Sequence, residues 1–168
     1  MKGALTRVIG IGQPAAGDDN AGIAVARAMR EQQLPAGTDI HEITDPARLV
    51  ELLDGIEHVI LIDALVSDRS PGNIMCLTPE DLSAYPSTPL SSHAMSITEA
   101  IQLVHTLAPE TACRDIRIIG ITIKTPDRYS HTMSDHVTAA VPRAASLILN
   151  LIEGKKTQIG RGSCRERV

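Results

Sequence analysis

The chain has 168 residues, of which 43% are hydrophobic and 21% are charged, and its formal net charge is −4. These values predict one soluble domain and exclude a disordered chain or a coiled coil. Two Tyr residues are the only aromatic side chains. Because the chain also lacks a basic stripe, we expect no nucleic-acid partner.

The sequence also indicates where the protein works. No apolar stretch approaches the roughly 18 residues that a membrane span needs, and the N-terminal residues do not resemble a signal peptide. The three cysteines, Cys76, Cys113 and Cys164, form no CxxC pair, and such cysteines are typical of a reducing compartment. We therefore predict a cytoplasmic protein without a membrane association.

The composition changes at residue 154. Residues 154–168 contain five Lys or Arg and one acid, whereas the rest of the chain has a formal charge of −8. We interpret residues 1–153 as a single α/β domain and residues 154–168 as a disordered or non-native tail. A basic tail that binds an acidic partner is the alternative.

The first half of the chain predicts a strand, a helix, a second strand, a short helix and a third strand. A β-branched run closed by glycines covers residues 7–12, and the acids at 18–19 precede an apolar helix that contains Ile23. Residues 39–43 predict the next strand, and Asp45 and Pro46 are typical of a helix start. The most hydrophobic run, residues 58–65, predicts a central strand buried on both faces.

The second half continues the same alternation. Residues 73–77 predict an edge strand, and a capping box at Ser96 begins a helix that ends near residue 107. Residues 116–123 predict another buried strand, and residues 134–152 a final helix that Pro142 should kink. This order predicts a three-layer α/β/α sandwich with a mostly parallel, twisted sheet of about five strands.

In such folds the functional site lies at the carboxyl ends of the strands. Three segments should meet there: residues 12–19, Asp63 at the end of the central strand, and residues 91–93, which end in His93. An ionised Asp beside so apolar a run is costly without a partner or a metal. A turn role for Asp63, helix capping by Asp18 and Asp19 and a solvated loop position for His93 are the simpler alternatives.

The glycines at residues 10–15 also match a loose G-x-G-x-x-A nucleotide motif. A phosphate would then sit at the following helix N-terminus, but Asp18 and Asp19 stand there and repel an anion. Pro14 also removes a backbone donor. The residues favour a metal site over a nucleotide site.

Three segments carry a resemblance to a known family. Residues 17–22 (GDDNAG), 61–64 (LIDA) and 91–93 (SSH) resemble, in order and spacing, the hydrogenase maturation endopeptidases. The resemblance extends over about residues 7–152. Gln13 differs from the family's usual Asn, and residues 45–47 differ from the glycine-rich turn of many members.

The resemblance implies an endopeptidase that removes a C-terminal extension from the large-subunit precursor of a [NiFe] hydrogenase after nickel insertion. It implies that Asp19, Asp63 and His93 are the metal ligands and the catalytic residues. Nickel would be carried by the substrate, and no organic cofactor is expected. Two carboxylates and one imidazole suit nickel, zinc or manganese with open coordination positions. A non-cleaving metal-binding chaperone and a nucleotide-binding domain are the alternative functions.

Deletion of residues 155–168 should leave both the midpoint of thermal unfolding and the activity unchanged, because no periodic apolar face continues into this segment. Thermal unfolding and precursor processing of the shortened chain test this interpretation. A clear loss of either would show that the tail belongs to the working protein.

Overall fold

The computed structural model describes residues 5–85, 95–126 and 130–154. Five strands form the sheet: β1 (Thr6–Ile11), β2 (Thr38–Ile43), β3 (His58–Val66), β4 (Ile74–Leu77) and β5 (Asp115–Ile123). The α-helices are α1 (Ala21–Arg30), α2 (Leu49–Leu52), α3 (Pro79–Ala84), α4 (Ile97–Leu107) and α5 (Asp135–Gly154). Short 3-10 turns at Gly17–Asn20 and Pro46–Arg48 lead into α1 and α2.

The strand order is β2-β1-β3-β5-β4. The first four of these strands are parallel to their neighbours, and β4 pairs antiparallel with β5 at one edge. The predicted α/β fold with a mostly parallel five-stranded sheet is thus confirmed. Its helices cover both faces, which explains why β3 and β5 are almost continuously apolar.

Two aliphatic cores separate the layers. One face of the sheet packs against α2, α3 and α4 through residues such as Leu61, Leu49 and Ile101. The other face packs against α1 and α5 through residues such as Ile62, Val25 and Ile148. Among the described residues, no helix is long and apolar enough to cross a bilayer.

Two details differ from the sequence-based expectations. Helix α3 was not predicted, although Thr78 and Asp81 form a reciprocal capping box at its start; six residues are too few for a periodic apolar stripe. Helix α5 contains Pro142, as expected, but ends at Gly154, one residue into the segment assigned to the tail. The rest of that segment lies outside the described residues.

Helix α1 lies unusually close to the sheet because it carries Gly22. A Cβ at this position would lie 2.2 Å from the Ile11 carbonyl oxygen and 2.3 Å from that of Ile62. Gly10 faces the helix in the same way, since its Cβ would lie 2.4 Å from the Gly22 oxygen. The first turn of α1 therefore rests directly on the backbones of β1 and β3.

Gly22→Ala should lower the free energy of unfolding by about 1–3 kcal/mol, the usual cost of overpacking, because the new methyl group would meet backbone atoms that cannot move aside. Denaturant unfolding measures the change. Gly154→Ala is the matched control, since nothing lies within 4 Å of a Cβ there. Equal stability of the two variants would contradict the close packing of α1.

Candidate active site

The site begins where β1 stops pairing with β3 while β3 still pairs with β5. Strand β1 pairs with β3 only as far as Gly10 and Ile62, whereas β3 pairs with β5 as far as Val66 and Ile123. Asp63 is therefore the first residue of β3 beyond the paired part of β1. It lies inside β3, so the expectation that it ends the strand was wrong.

The Asp63 side chain lies on the sheet face that packs against α4, because alternation places it on the side of Leu61 and Leu65. Its Oδ1 atom accepts a hydrogen bond from the Ala64 backbone N–H at 2.9 Å. The Ser67 N–H donates to the Ile123 carbonyl oxygen on the β5 side of the strand. Because backbone N–H groups alternate between the two sides of a strand, the Ala64 N–H points to the opposite side, where β1 is no longer paired. The Asp63 carboxylate thus accepts a hydrogen bond from a backbone N–H that β1 does not pair with.

Asp19 reaches the same region from the 3-10 turn Gly17–Asn20. The Gln13 backbone N–H donates to the Asp19 carbonyl oxygen at 3.3 Å, and a Cβ on Gly12 would lie 2.7 Å from that oxygen. The turn therefore folds back onto the end of β1. Because α1 follows it directly and rests on β3, Asp19 lies near Asp63.

The two carboxylates affect each other. Desolvation of Asp63 by the surrounding protein, together with the negative charge of Asp19, raises the pKa of Asp63 to about 8. Burial also raises the pKa of Asp19. Within the described part of the chain, neither carboxylate forms a salt bridge with a basic side chain. Such a pair favours a bound proton or a cation.

The neighbouring acid, Asp18, makes different contacts. Its Oδ1 accepts from the Ser134 backbone N–H at 2.7 Å, and its Oδ2 accepts from the Ser134 hydroxyl at 2.9 Å. The expectation that Asp18 caps the helix that follows it was wrong, because the first turn of α1 has no side-chain cap and Asp18 instead bonds the residue before α5. Asp45 does cap the turn before α2, through the Ala47 N–H.

His93, with Ser91 and Ser92, lies outside the described residues. Among residues 5–85, 95–126 and 130–154, no group of three or more His, Cys, Asp or Glu side chains could hold a metal ion. The described structure thus brings together Asp19 and Asp63 of the predicted set, and the place of the third ligand stays a prediction.

Two further polar side chains lie near the carboxylates, and neither is among the predicted site residues. The buried Asn20 Oδ1 has no hydrogen-bond partner among the described residues, and Gln13 Nε2 donates to the Thr44 carbonyl oxygen at 2.9 Å. Gln13 stands out in the sequence because it replaces the family's usual Asn, whereas only the position beside Asp19 could have pointed to Asn20.

A family model and a sequence relative each match most of the chain. A family model described as hydrogenase maturation protease matches residues 24–151. This range contains Asp63 and His93 and begins after Asp19. The chain is also 30% identical to Protein FrxA of Pyrococcus furiosus over 138 residues, which cover 81% of this chain and 96% of FrxA.

Solved structures of similar fold carry related names. The hydrogenase maturating endopeptidase HybD from E. coli superimposes with a TM-score of 0.76 at 18% identity, covering 90% of this chain and 93% of HybD. The [NiFe] hydrogenase maturation protease HybD from Thermococcus kodakarensis gives a TM-score of 0.69 at 26% identity, covering 88% and 98% of the two chains.

Asp63→Asn should stabilise the metal-free protein at pH 8 and have little effect near pH 4. The folded state raises the pKa of Asp63 from 3.8 to about 8, so it binds this proton more tightly than the unfolded chain does. The resulting stabilisation is present below pH 3.8 and is lost as the pH rises toward 8. The amide carries no charge, so the variant lacks this loss.

Urea unfolding in a chelator between pH 4 and pH 8 measures the difference. Glu110→Gln, at an exposed position before β5, controls for the loss of one negative charge. An unchanged pH dependence in Asp63→Asn would contradict the raised pKa.

Proposed function

Since the chain belongs to the hydrogenase maturation protease family, we propose that it removes the C-terminal extension from the large-subunit precursor of a [NiFe] hydrogenase after nickel insertion. Asp19, Asp63 and His93 recognise the nickel that the precursor carries. Nickel is thus part of the substrate, and the protease itself needs no organic cofactor.

The observation that carries this proposal is that the carboxylates of Asp19 and Asp63 lie near each other. Mutual repulsion and burial make the pair unfavourable as two bare anions, as the raised pKa of Asp63 indicates. A divalent cation removes this cost, and carboxylate oxygens are suitable ligands for it. Among the described residues, neither acid forms a salt bridge with a basic side chain, and the hydrogen bond from the Ala64 N–H engages only one oxygen of Asp63.

The chain position of His93 supports its role as the third ligand. His93 precedes α4 by four residues, counted to Ile97, and α4 packs on the sheet face that carries Asp63. An imidazole added to two carboxylates makes an incomplete ligand set with open positions, which suits recognition of a metal that another protein holds.

In this proposal the residues of the protease work by orientation. Asp63 is held on the rigid β3 strand, and Asp19 on a turn that α1 fixes to the sheet. Together with His93 they hold the docked precursor so that its scissile peptide lies beside the metal. Nickel supplies the Lewis-acid chemistry that polarises a carbonyl group or activates water.

The test compares nickel-loaded with nickel-free precursor. The purified chain should shorten only the loaded large subunit, and mass spectrometry of the intact subunit identifies the released C-terminal segment. An unchanged mass, with the loaded precursor still bound, would instead identify a non-cleaving chaperone. A thermal shift with nucleotides and none with nickel would identify a nucleotide-binding domain.

Asp19→Ala, Asp63→Ala and His93→Ala should each reduce processing of the loaded precursor by about 100-fold or more, because loss of a residue that merely supports a metal ligand already costs about 10- to 100-fold. Each variant should remain folded, as circular dichroism can show. Glu110→Ala is the matched acidic control, because this exposed residue precedes the start of β5, whereas Asp63 is paired with Gly120 further along that strand. Full activity of any of the three ligand variants would remove that residue from the site.

A further inference from the structure

We infer that Asp18 is a positioning residue: it holds the turn that carries Asp19 by anchoring it to the first residues of α5. This inference rests on the proposed function, because it assigns the structural basis of one of the proposed nickel ligands. It concerns a residue outside the proposed set of ligands.

The contact between the two segments is specific. Both Asp18 carboxylate oxygens are used by Ser134, one by its backbone N–H at 2.7 Å and the other by its hydroxyl at 2.9 Å. Hydrogen bonds to an ionised carboxylate are about twice as strong as those between neutral groups. Asp18 therefore bonds the start of α5, whereas the negative charge of its neighbour Asp19 lies close enough to Asp63 to repel it.

The anchor point is itself attached to the sheet. Gly72, in the turn after β3, packs so closely on α5 that a Cβ there would lie 2.4 Å from the His136 carbonyl oxygen. Gly72 N–H also donates to the Thr122 carbonyl oxygen of β5 at 2.8 Å. The start of α5 is thus fixed independently of the turn that it holds.

The turn needs such an anchor because the loop that leads into it is strained. Ala15 has a φ of 63°, a conformation that costs a residue with a side chain about 1 kcal/mol or more. His131 Nδ1 donates to the Ala15 carbonyl oxygen at 2.8 Å, and Gly17, with a φ of 57°, packs against the Ser130 and Thr132 carbonyl oxygens. Residues 130–134 therefore hold the turn at three places.

The alternative role for Asp18 is electrostatic, as a third negative charge that attracts the metal. Two substitutions separate the roles. Asp18→Asn removes the charge but keeps an oxygen for Ser134 N–H, and its amide can donate to the Ser134 hydroxyl. Asp18→Ala removes both bonds together with the charge.

Asp81→Ala is a closely matched control. Asp81 accepts hydrogen bonds from the backbone N–H and the hydroxyl of one residue, Thr78, at 2.9 and 3.0 Å. It thus accepts from the same two kinds of donor as Asp18 does, through one oxygen rather than two, at the start of α3. Its loss should lower stability without affecting the turn that carries Asp19.

The experiment measures two quantities in wild type and in each variant, at a temperature at which all are folded. One is the rate of processing of nickel-loaded precursor; the other is amide hydrogen exchange in residues 13–20 of the free protein. Asp18→Ala should lower processing about 10- to 100-fold and speed exchange in the turn. Asp18→Asn should stay within about threefold of wild type in processing, and Asp81→Ala should match wild type in both quantities.

Other outcomes overturn the inference. Equal losses in Asp18→Asn and Asp18→Ala would assign the effect to charge, and wild-type values in Asp18→Ala would show that the turn needs no anchor. If Asp18→Ala fails to fold, Ser134→Ala, which removes the hydroxyl bond alone, should give a smaller loss of the same kind. If wild type does not process the precursor, the proposed function fails, and hydrogen exchange still decides whether Asp18 holds the turn.

Discussion

The contact of α1 with the backbones of β1 and β3 determines the arrangement of the site. Gly10 and Gly22 allow the helix to approach until backbone meets backbone, and the 3-10 turn before the helix is thereby brought over the end of β1. A bulkier residue at either position would lift the helix and carry Asp19 away from Asp63. The glycines of the first loop thus serve the chain's own packing, which is one of the roles that glycine has in strand-to-helix turns.

Much of this fold could be predicted because its signals are local. Near-continuous apolar runs indicate buried strands, and the capping box at Ser96 marks the start of α4. Asp63 also stands out in the sequence, since an ionised carboxylate next to so apolar a run is costly unless a partner or a metal compensates its charge. Because functional sites in parallel sheets lie at the carboxyl ends of the strands, Asp19 is expected at the same edge.

The remaining features depend on contacts that sequence patterns do not record. Asp18 and Ser134 are 116 positions apart, so nothing local distinguishes a helix-capping Asp18 from one that reaches across the fold. The unequal lengths of β1 and β3 likewise follow from pairing in three dimensions, and for this reason Asp63 was assigned to a strand end. In both cases the sequence draws attention to the residue but does not indicate what it contacts.

The step in the sheet beside Asp63 gives the two oxygens of this carboxylate unequal roles. Oδ1 accepts from Ala64 N–H, a donor that faces the side where β1 is absent. A cation at Oδ2 would leave this hydrogen bond undisturbed, whereas one at Oδ1 would have to share that oxygen with the Ala64 N–H. In the proposed site, the strand backbone would therefore favour coordination through Oδ2.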